Sequence, residues 1–208
     1  MVQLKGIKNI IFDLGDVIIN LDQNKTILAF QKLFGNKFGE MEKDLRGNNI
    51  LEKYETAEIS SDEFLSFFKT YNSTLTNQQI IATWNSILLD IPKERLELIN
   101  QLSKEYRIFL LSNTNDFHIE YIDNYVRNKF NIDNVAELFE KAYYSHEMGL
   151  RKPDSKIFLT IINDKNLVPK ETLFIDDSEQ HIISAKQLNL KTYHLKSSET
   201  IVDIFNAD

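Results

Sequence analysis

Apolar residues in this chain fall into two arrangements. Short unbroken runs occur at Ile10–Phe12, Ile108–Leu111, Ala142–Tyr144 and Leu173–Ile175, with a weaker one at Thr192–Leu195. Runs without polar alternation predict strands covered on both faces, as in parallel sheets. Between the later runs the spacing turns helical. Leu96, Ile99 and Leu102 line one face of KERLELINQLSKE (93–105), and SKIFLTIINDKN (155–166) opens after Pro153-Asp154, suited to a helix start. SEQHIISAKQLN (178–189) ends at Asn189, a residue that tolerates the left-handed conformation closing a helix. Strands alternating with helices predict an α/β fold, a doubly wound parallel sheet with right-handed crossovers.

Residues 22–90 break this rhythm. They lack convincing strand runs and carry helix-start signals instead. Ser60-x-x-Glu63 and Thr76-x-x-Gln79 fit the capping box, ahead of FLSFFKTY and IIATWNSILL. Leu28, Phe30, Leu33 and Phe34 supply the apolar face of an earlier helix, and Phe67 and Phe68 read as core of a helix bundle. An all-helical insertion (22–90) is expected inside a core made of 1–21 and 91–208. Pro92, Pro153 and Pro169, the three prolines, fall at segment boundaries, Pro92 where the insertion should end.

Composition narrows the chemistry mainly by exclusion. The chain has 208 residues, enough for one sizeable core with an inserted subdomain. A net charge of −7 argues against nucleic acid or an anionic membrane as partner, while leaving room for a local basic pocket. The absence of cysteine removes disulfides, thiolate catalysis and zinc–thiolate sites. No apolar run reaches membrane-spanning length, and MVQLKGIKN is too short and polar for a signal peptide. A cytoplasmic protein, monomeric or weakly dimeric, is the expectation.

In open parallel sheets, ligands bind beyond the carboxyl ends of the strands. Asp13 follows the first run, Ser112-Asn113-Thr114 the second, and Asp176-Asp177 the TLFI run; Arg151 and Lys152 precede that last strand. Three carboxylates, a hydroxyl, an amide and a lysine would thus meet at one edge. Carboxylates that close repel unless a cation joins them, and oxygen ligands suit Mg2+. A hydroxyl, backbone N–H groups and a lysine facing that ion would suit a phosphate.

Through IIFDLGDV, LLSNTN, KPDSKIF and FIDDS, in that order, the chain resembles the haloacid dehalogenase superfamily, in its phosphatase branch with a helical cap after the first strand. The resemblance covers nearly the whole chain. It implies a Rossmann-like core and a Mg2+-dependent phosphatase acting on a small phosphorylated metabolite. Asp13 would be the nucleophile that forms an aspartyl-phosphate. Asp13, the Gly15 carbonyl and Asp177 would hold the metal, with Asp176 ligating or bridging through water. Ser112, aided by the Asn113 amide, would bind phosphoryl oxygens, and Lys152 would neutralise both phosphate and Asp13. The DLG form of the first motif is similar to that of sugar-1-phosphate phosphatases, which implies a sugar phosphate.

The chain also departs from the pattern. Many relatives carry an acid/base aspartate where Gly15 stands; Asp16, one residue on, would more readily cap the turn than replace it. His181 stands where relatives often have asparagine, which puts hydrogen bonding behind the site in doubt. Ser112 could instead cap the next helix, Arg151 reads as a solvated neighbour of Lys152, and His146 and Glu147 read as structural or surface residues. For Tyr54 and Trp84 core packing is favoured over ligand contact, and Arg46 lies with them in the insertion. A 2-haloacid dehalogenase, a phosphate-binding or regulatory protein without turnover, and a phosphomutase are the competing readings.

Overall fold

The computed structural model describes residues 2–206. Five parallel strands, β1 (Asn9–Phe12), β2 (Arg107–Ser112), β3 (Lys141–Tyr144), β4 (Thr172–Asp176) and β5 (Lys191–His194), pair in the order β3-β2-β1-β4-β5. Six helices lie between β1 and β2: α1 (Gln23–Phe34), α2 (Phe38–Gly47), α3 (Ile50–Glu55), α4 (Ser61–Tyr71), α5 (Asn77–Trp84) and α6 (Lys93–Leu102). Then α7 (Asp116–Phe130) leads to β3, α8 (Ser145–Met148) and α9 (Ser155–Asp164) to β4, α10 (Glu179–Gln187) to β5, and α11 (Ile201–Asn206) follows.

The unbroken apolar runs are explained by cores on both faces of the sheet. Ile10, Phe12, Ile108, Leu110, Leu173 and Ile175 pack toward α6, α7 and α11. Their alternates Ile11, Phe109, Leu111 and Phe174 pack toward α9 and α10. Successive strand residues point to opposite faces, so a strand buried on both sides must be apolar at every position. The sheet is doubly wound, as expected. The helices from 93, 155 and 178 are each slightly shorter than their apolar patterns. Asn166 and Asn189, just beyond α9 and α10, take left-handed φ values of 51° and 62°.

The insertion has a core of its own, built from Phe30, Phe34, Met41, Tyr54, Phe64, Phe68 and Trp84 among others. Both capping boxes form as the sequence requires. Leu28 departs from expectation: it is 63% exposed, on the side of α1 away from Phe30 and Phe34. The chain enters and leaves the insertion side by side. Leu89 N–H donates to the Asn20 carbonyl (2.9 Å), and Asp22 N–H to that of Ile87 (2.8 Å).

Further contact with the sheet layer runs through the start of α7. Asn115 caps that helix, its Oδ1 accepting from His118 N–H (3.2 Å) and from Trp84 Nε1–H (3.2 Å). The Asn115 amide nitrogen can then only face His118 Nδ1 as donor, at 3.3 Å, which leaves the imidazole proton on Nε2. The His118 ring stacks on Trp84, centroids 4.8 Å apart, and its Nε2 is enclosed.

Burial lowers the His118 pKa to about 4. An unfolded chain takes up this proton near pH 6.5, while the folded protein refuses it until about pH 4. The contribution to stability is therefore fully present above pH 6.5 and is lost as pH falls through that window. Denaturant unfolding at pH 7.5 and 4.5 should show His118→Gln losing about 2 kcal/mol less than wild type over this interval. Equal losses in the two proteins would remove His118 as the cause.

Candidate active site at the carboxyl edge of the sheet

The register of the sheet fixes the first two carboxylates. Phe12 pairs with both Leu110 and Ile175, so Asp13, Ser112 and Asp176 leave the sheet at the same edge. Asp13 is held there by its own N–H, which donates to the Ile175 carbonyl (2.9 Å). Lys152 arrives from the loop between α8 and α9 and is wholly buried. Its Nζ donates to Asp13 Oδ1 (2.6 Å), Asp176 Oδ2 (2.7 Å) and the Leu111 carbonyl (3.0 Å). All three ammonium hydrogens are thereby used. What Lys152 presents to a ligand is its charge rather than a spare N–H.

Asn113 clamps the lysine's backbone. Its side-chain Oδ1 accepts from Lys152 N–H (2.8 Å) and its Nδ2 donates to the Lys152 carbonyl (2.9 Å). The Asn113 side chain is thus engaged in positioning Lys152. Ser112 does not cap α7, since Asn115 does. Its hydroxyl makes one long contact, 3.4 Å to the Asn113 carbonyl, and the residue borders the cavity described below.

Asp176 is saturated. Besides Lys152 it accepts from Ser178 N–H (2.8 Å) and from His181 Nδ1 (2.9 and 3.0 Å to its two oxygens). His181 therefore does supply hydrogen bonding behind the site. Burial pushes the Asp176 carboxyl up, but Lys152 and His181 together hold it down to about 2. For Asp13 burial wins: its pKa rises to about 7 despite Lys152, with the Asp176 charge adding to the rise. Asp177 is also raised, by burial and by the neighbouring charges of Asp176 and Asp16. Carboxylate oxygens of Asp13, Asp176 and Asp177 all lie within 4.8 Å of one another.

Gly15 and Asp16 follow directly. A Cβ on Gly15 would sit 2.7 Å from Leu21 Cδ1, so Leu21 fills the space a side chain there would need. Asp16 is exposed with φ 52°; its Oδ1 accepts from Leu21 N–H (3.0 Å) and its own N–H donates to the Ile19 carbonyl (2.8 Å). Asp16 closes the turn.

Beyond Gly15 and Ser112 a cavity of about 650 Å3 opens between the sheet edge and the insertion. Trp84 and Arg46 border it, while Tyr54 is buried among the insertion's aromatics. His146 Nε2 lies 3.4 Å from Asp116, at the start of α7. Arg151 is not a solvated neighbour: it is half-buried and paired with Glu55 of α3. Adjacency to Lys152 was its only sequence signal, and Glu55 had none.

Residues 7–189 match the family of haloacid dehalogenase-like hydrolases. The chain belongs to this family. The hydrolase is 31% identical to a D-ribitol-5-phosphate phosphatase of Bacteroides thetaiotaomicron over 90% of this chain and 91% of that one. Among solved structures it superimposes on a HAD-family enzyme of the same organism with TM-score 0.90 and 36% identity, covering 97% and 99% of the two chains. A complex of that enzyme with magnesium and inorganic phosphate gives TM-score 0.86 at 36% identity, covering 96% of this chain and 100% of that one. A HAD-like hydrolase from Porphyromonas gingivalis gives TM-score 0.84 at 32% identity, covering 97% and 99%. Dehalogenases at 15–18% identity share the fold.

Removing the shared cation exposes what it does for the hydrolase. Lys152→Met leaves Asp13 and Asp176 facing each other without their shared cation, Asp176 keeping only Ser178 N–H and His181. Urea unfolding in EDTA at pH 7.5 should show a loss of about 3–5 kcal/mol. A loss near zero would mean the two carboxylates tolerate each other without the lysine.

Proposed function

We propose that this hydrolase is a Mg2+-dependent phosphatase for a small sugar or polyol phosphate, working through an aspartyl-phosphate on Asp13. The observation that carries the reading is the charge imbalance at the sheet edge, where three carboxylates cluster and one buried lysine pairs with two of them, Asp13 and Asp176. Such an imbalance suits a divalent cation with oxygen ligands. Asp13, Asp177 and the Gly15 carbonyl would hold Mg2+, with Asp176, already saturated, behind them. When bound, Mg2+ offsets the negative charge that keeps carboxylate and phosphate apart.

In the first step an Asp13 oxygen attacks phosphorus and the alcohol oxygen departs with the P–O electron pair. In the second, water attacks the aspartyl-phosphate, releasing inorganic phosphate and restoring Asp13. Ser112 would hold phosphoryl oxygens, and Lys152 would keep Asp13 aimed and offset the phosphate's charge. Residues 22–90 would act as a cap that keeps bulk water out of the cavity. No described helix is long and apolar enough to cross a membrane.

A 2-haloacid dehalogenase would keep the aspartate nucleophile but has no use for the carboxylate trio. Substrate class is supported by the Bacteroides relative named for D-ribitol 5-phosphate. Leaving-group protonation separates two possibilities within that class. An anomeric sugar phosphate departs with little help, whereas a primary polyol phosphate needs a proton, and neither Gly15 nor the turn-bound Asp16 supplies a carboxylate for it.

The test is phosphate release from D-ribitol 5-phosphate, glucose 1-phosphate, phenyl phosphate and p-nitrophenyl phosphate, with Mg2+ or EDTA. Activity should require Mg2+, and Asp13→Asn should lower it by roughly a thousandfold or more. Among the two aryl esters, the rate should rise steeply as leaving-group pKa falls. Retention of a tenth of the activity in Asp13→Asn would sink the covalent mechanism. A flat leaving-group dependence would show that an acid is present after all.

A further inference from the structure

The cavity between sheet edge and insertion has a chemically uneven wall. Gly15, Ser112 and Asn113 border it on the catalytic side, and Arg46, Glu52 and Glu55 on the side of the insertion. Glu55, the last residue of α3, is the one of these tied across the gap. Arg151 Nε donates to Glu55 Oε2 (2.9 Å), and Arg151 Nη2 lies 2.8 Å from the same oxygen. Arg151 Nη1 is 4.0 Å from Glu52 Oε1. Both close contacts fall on Oε2, and Glu55 Oε1 accepts no hydrogen bond from any described residue. Glu55 is among the residues that border the cavity, and its side chain is 20% exposed. Burial pushes the Glu55 pKa up, Arg151 holds it down, and the Lys152 charge acts on it as the weakest of these influences.

We infer that Glu55, fixed by Arg151, is the specificity-determining acceptor for a hydroxyl on the organic part of the phosphate ester. The inference rests on the phosphatase reading above. A carboxylate oxygen that accepts but cannot donate selects a group that donates, and a hydroxyl of an uncharged polyhydroxylated chain fits. Glu42, Glu52 and Glu55 outnumber Arg46 and Arg151 along this wall, which disfavours an organic part bearing a carboxylate or a second phosphate. Arg151 does two things at once. It holds Glu55 in one rotamer, and it ties α3 to the residue next to Lys152, so recognition of the substrate's chain and alignment of Asp13 share one link. A site built to hydrogen-bond a substrate hydroxyl discriminates strongly against the analogue lacking it, since the acceptor is then left unpaired.

The test compares kcat/KM for D-ribitol 5-phosphate with that for phenyl phosphate, whose organic part carries no hydroxyl. In Glu55→Gln the carboxamide oxygen must face the Arg151 donors, which turns the NH2 into the cavity and converts an acceptor to a donor. The ratio of the two kcat/KM values should fall about tenfold or more in Glu55→Ala, and less in Glu55→Gln, whose NH2 can still donate to a substrate hydroxyl. Arg151→Met should lower it in the same direction. A binding measurement independent of turnover accompanies it. Calorimetry on Asp13→Asn and Asp13→Asn/Glu55→Ala should show D-ribitol 5-phosphate weakened by the second substitution more than inorganic phosphate is. If both ratios hold at the wild-type value in folded Glu55 variants, the inference is wrong while the phosphatase reading stands. Wild type that releases phosphate from phenyl phosphate but from no hydroxylated ester likewise overturns the inference alone. Wild type that hydrolyses no ester at all overturns both.

Discussion

The ammonium of Lys152 is the constraint on which the rest of the site depends. A wholly buried lysine persists only if its three hydrogens find acceptors and its charge finds opposite charge. Here Asp13, Asp176 and the Leu111 carbonyl do both. That requirement ties three adjacent strands together, because Asp13 follows β1, Leu111 lies in β2 and Asp176 ends β4. It also explains the Asn113 side chain, which holds the lysine's own peptide group from both sides. A single positive charge shared this way leaves the cluster electron-rich. Asp13 is then hard to ionise fully without a further cation, and Asp177 stands at the more open side where one could enter.

The helical insertion adds what the sheet edge lacks. The edge offers charge and hydrogen-bonding groups but no walls. The insertion folds around its own aromatic core and so can present a fixed face to the site. Its ties to the sheet layer are both polar and aromatic: the paired entry and exit segments, Trp84 with Asn115 and stacked on His118, Phe117 of α7 against Tyr54 and Phe64, Ser61 with Asp116 (2.8 Å), and Glu55 with Arg151.

The sheet, its two-sided burial and the residues at its strand ends were legible in the sequence for one reason. A parallel strand must be apolar throughout, so a polar residue directly after such a run marks the exit from the sheet, and topology gathers those exits at one edge. Asp13, Ser112 and Asp176 follow from that alone. What could not be read depended on contacts between segments distant in sequence. Arg151 meets Glu55 across 96 positions, and nothing local to either residue signals the other. His181 reaches Asp176 only because α10 begins directly behind β4, and a histidine where asparagine is usual gave no hint that its Nδ1 would serve the same carboxylate. Leu28 breaks its pattern because an apolar residue on an amphipathic helix need not face the core.

The central claim, that the carboxylate cluster is completed by a divalent cation, is tested most directly by calorimetric titration of Mg2+ into metal-free wild type and Asp177→Ala. The account predicts saturable binding in wild type, weakened at least about tenfold when the open-side carboxylate is removed, with the circular dichroism spectrum unchanged. Equal Mg2+ affinity in the two proteins, or no binding in wild type, would contradict it.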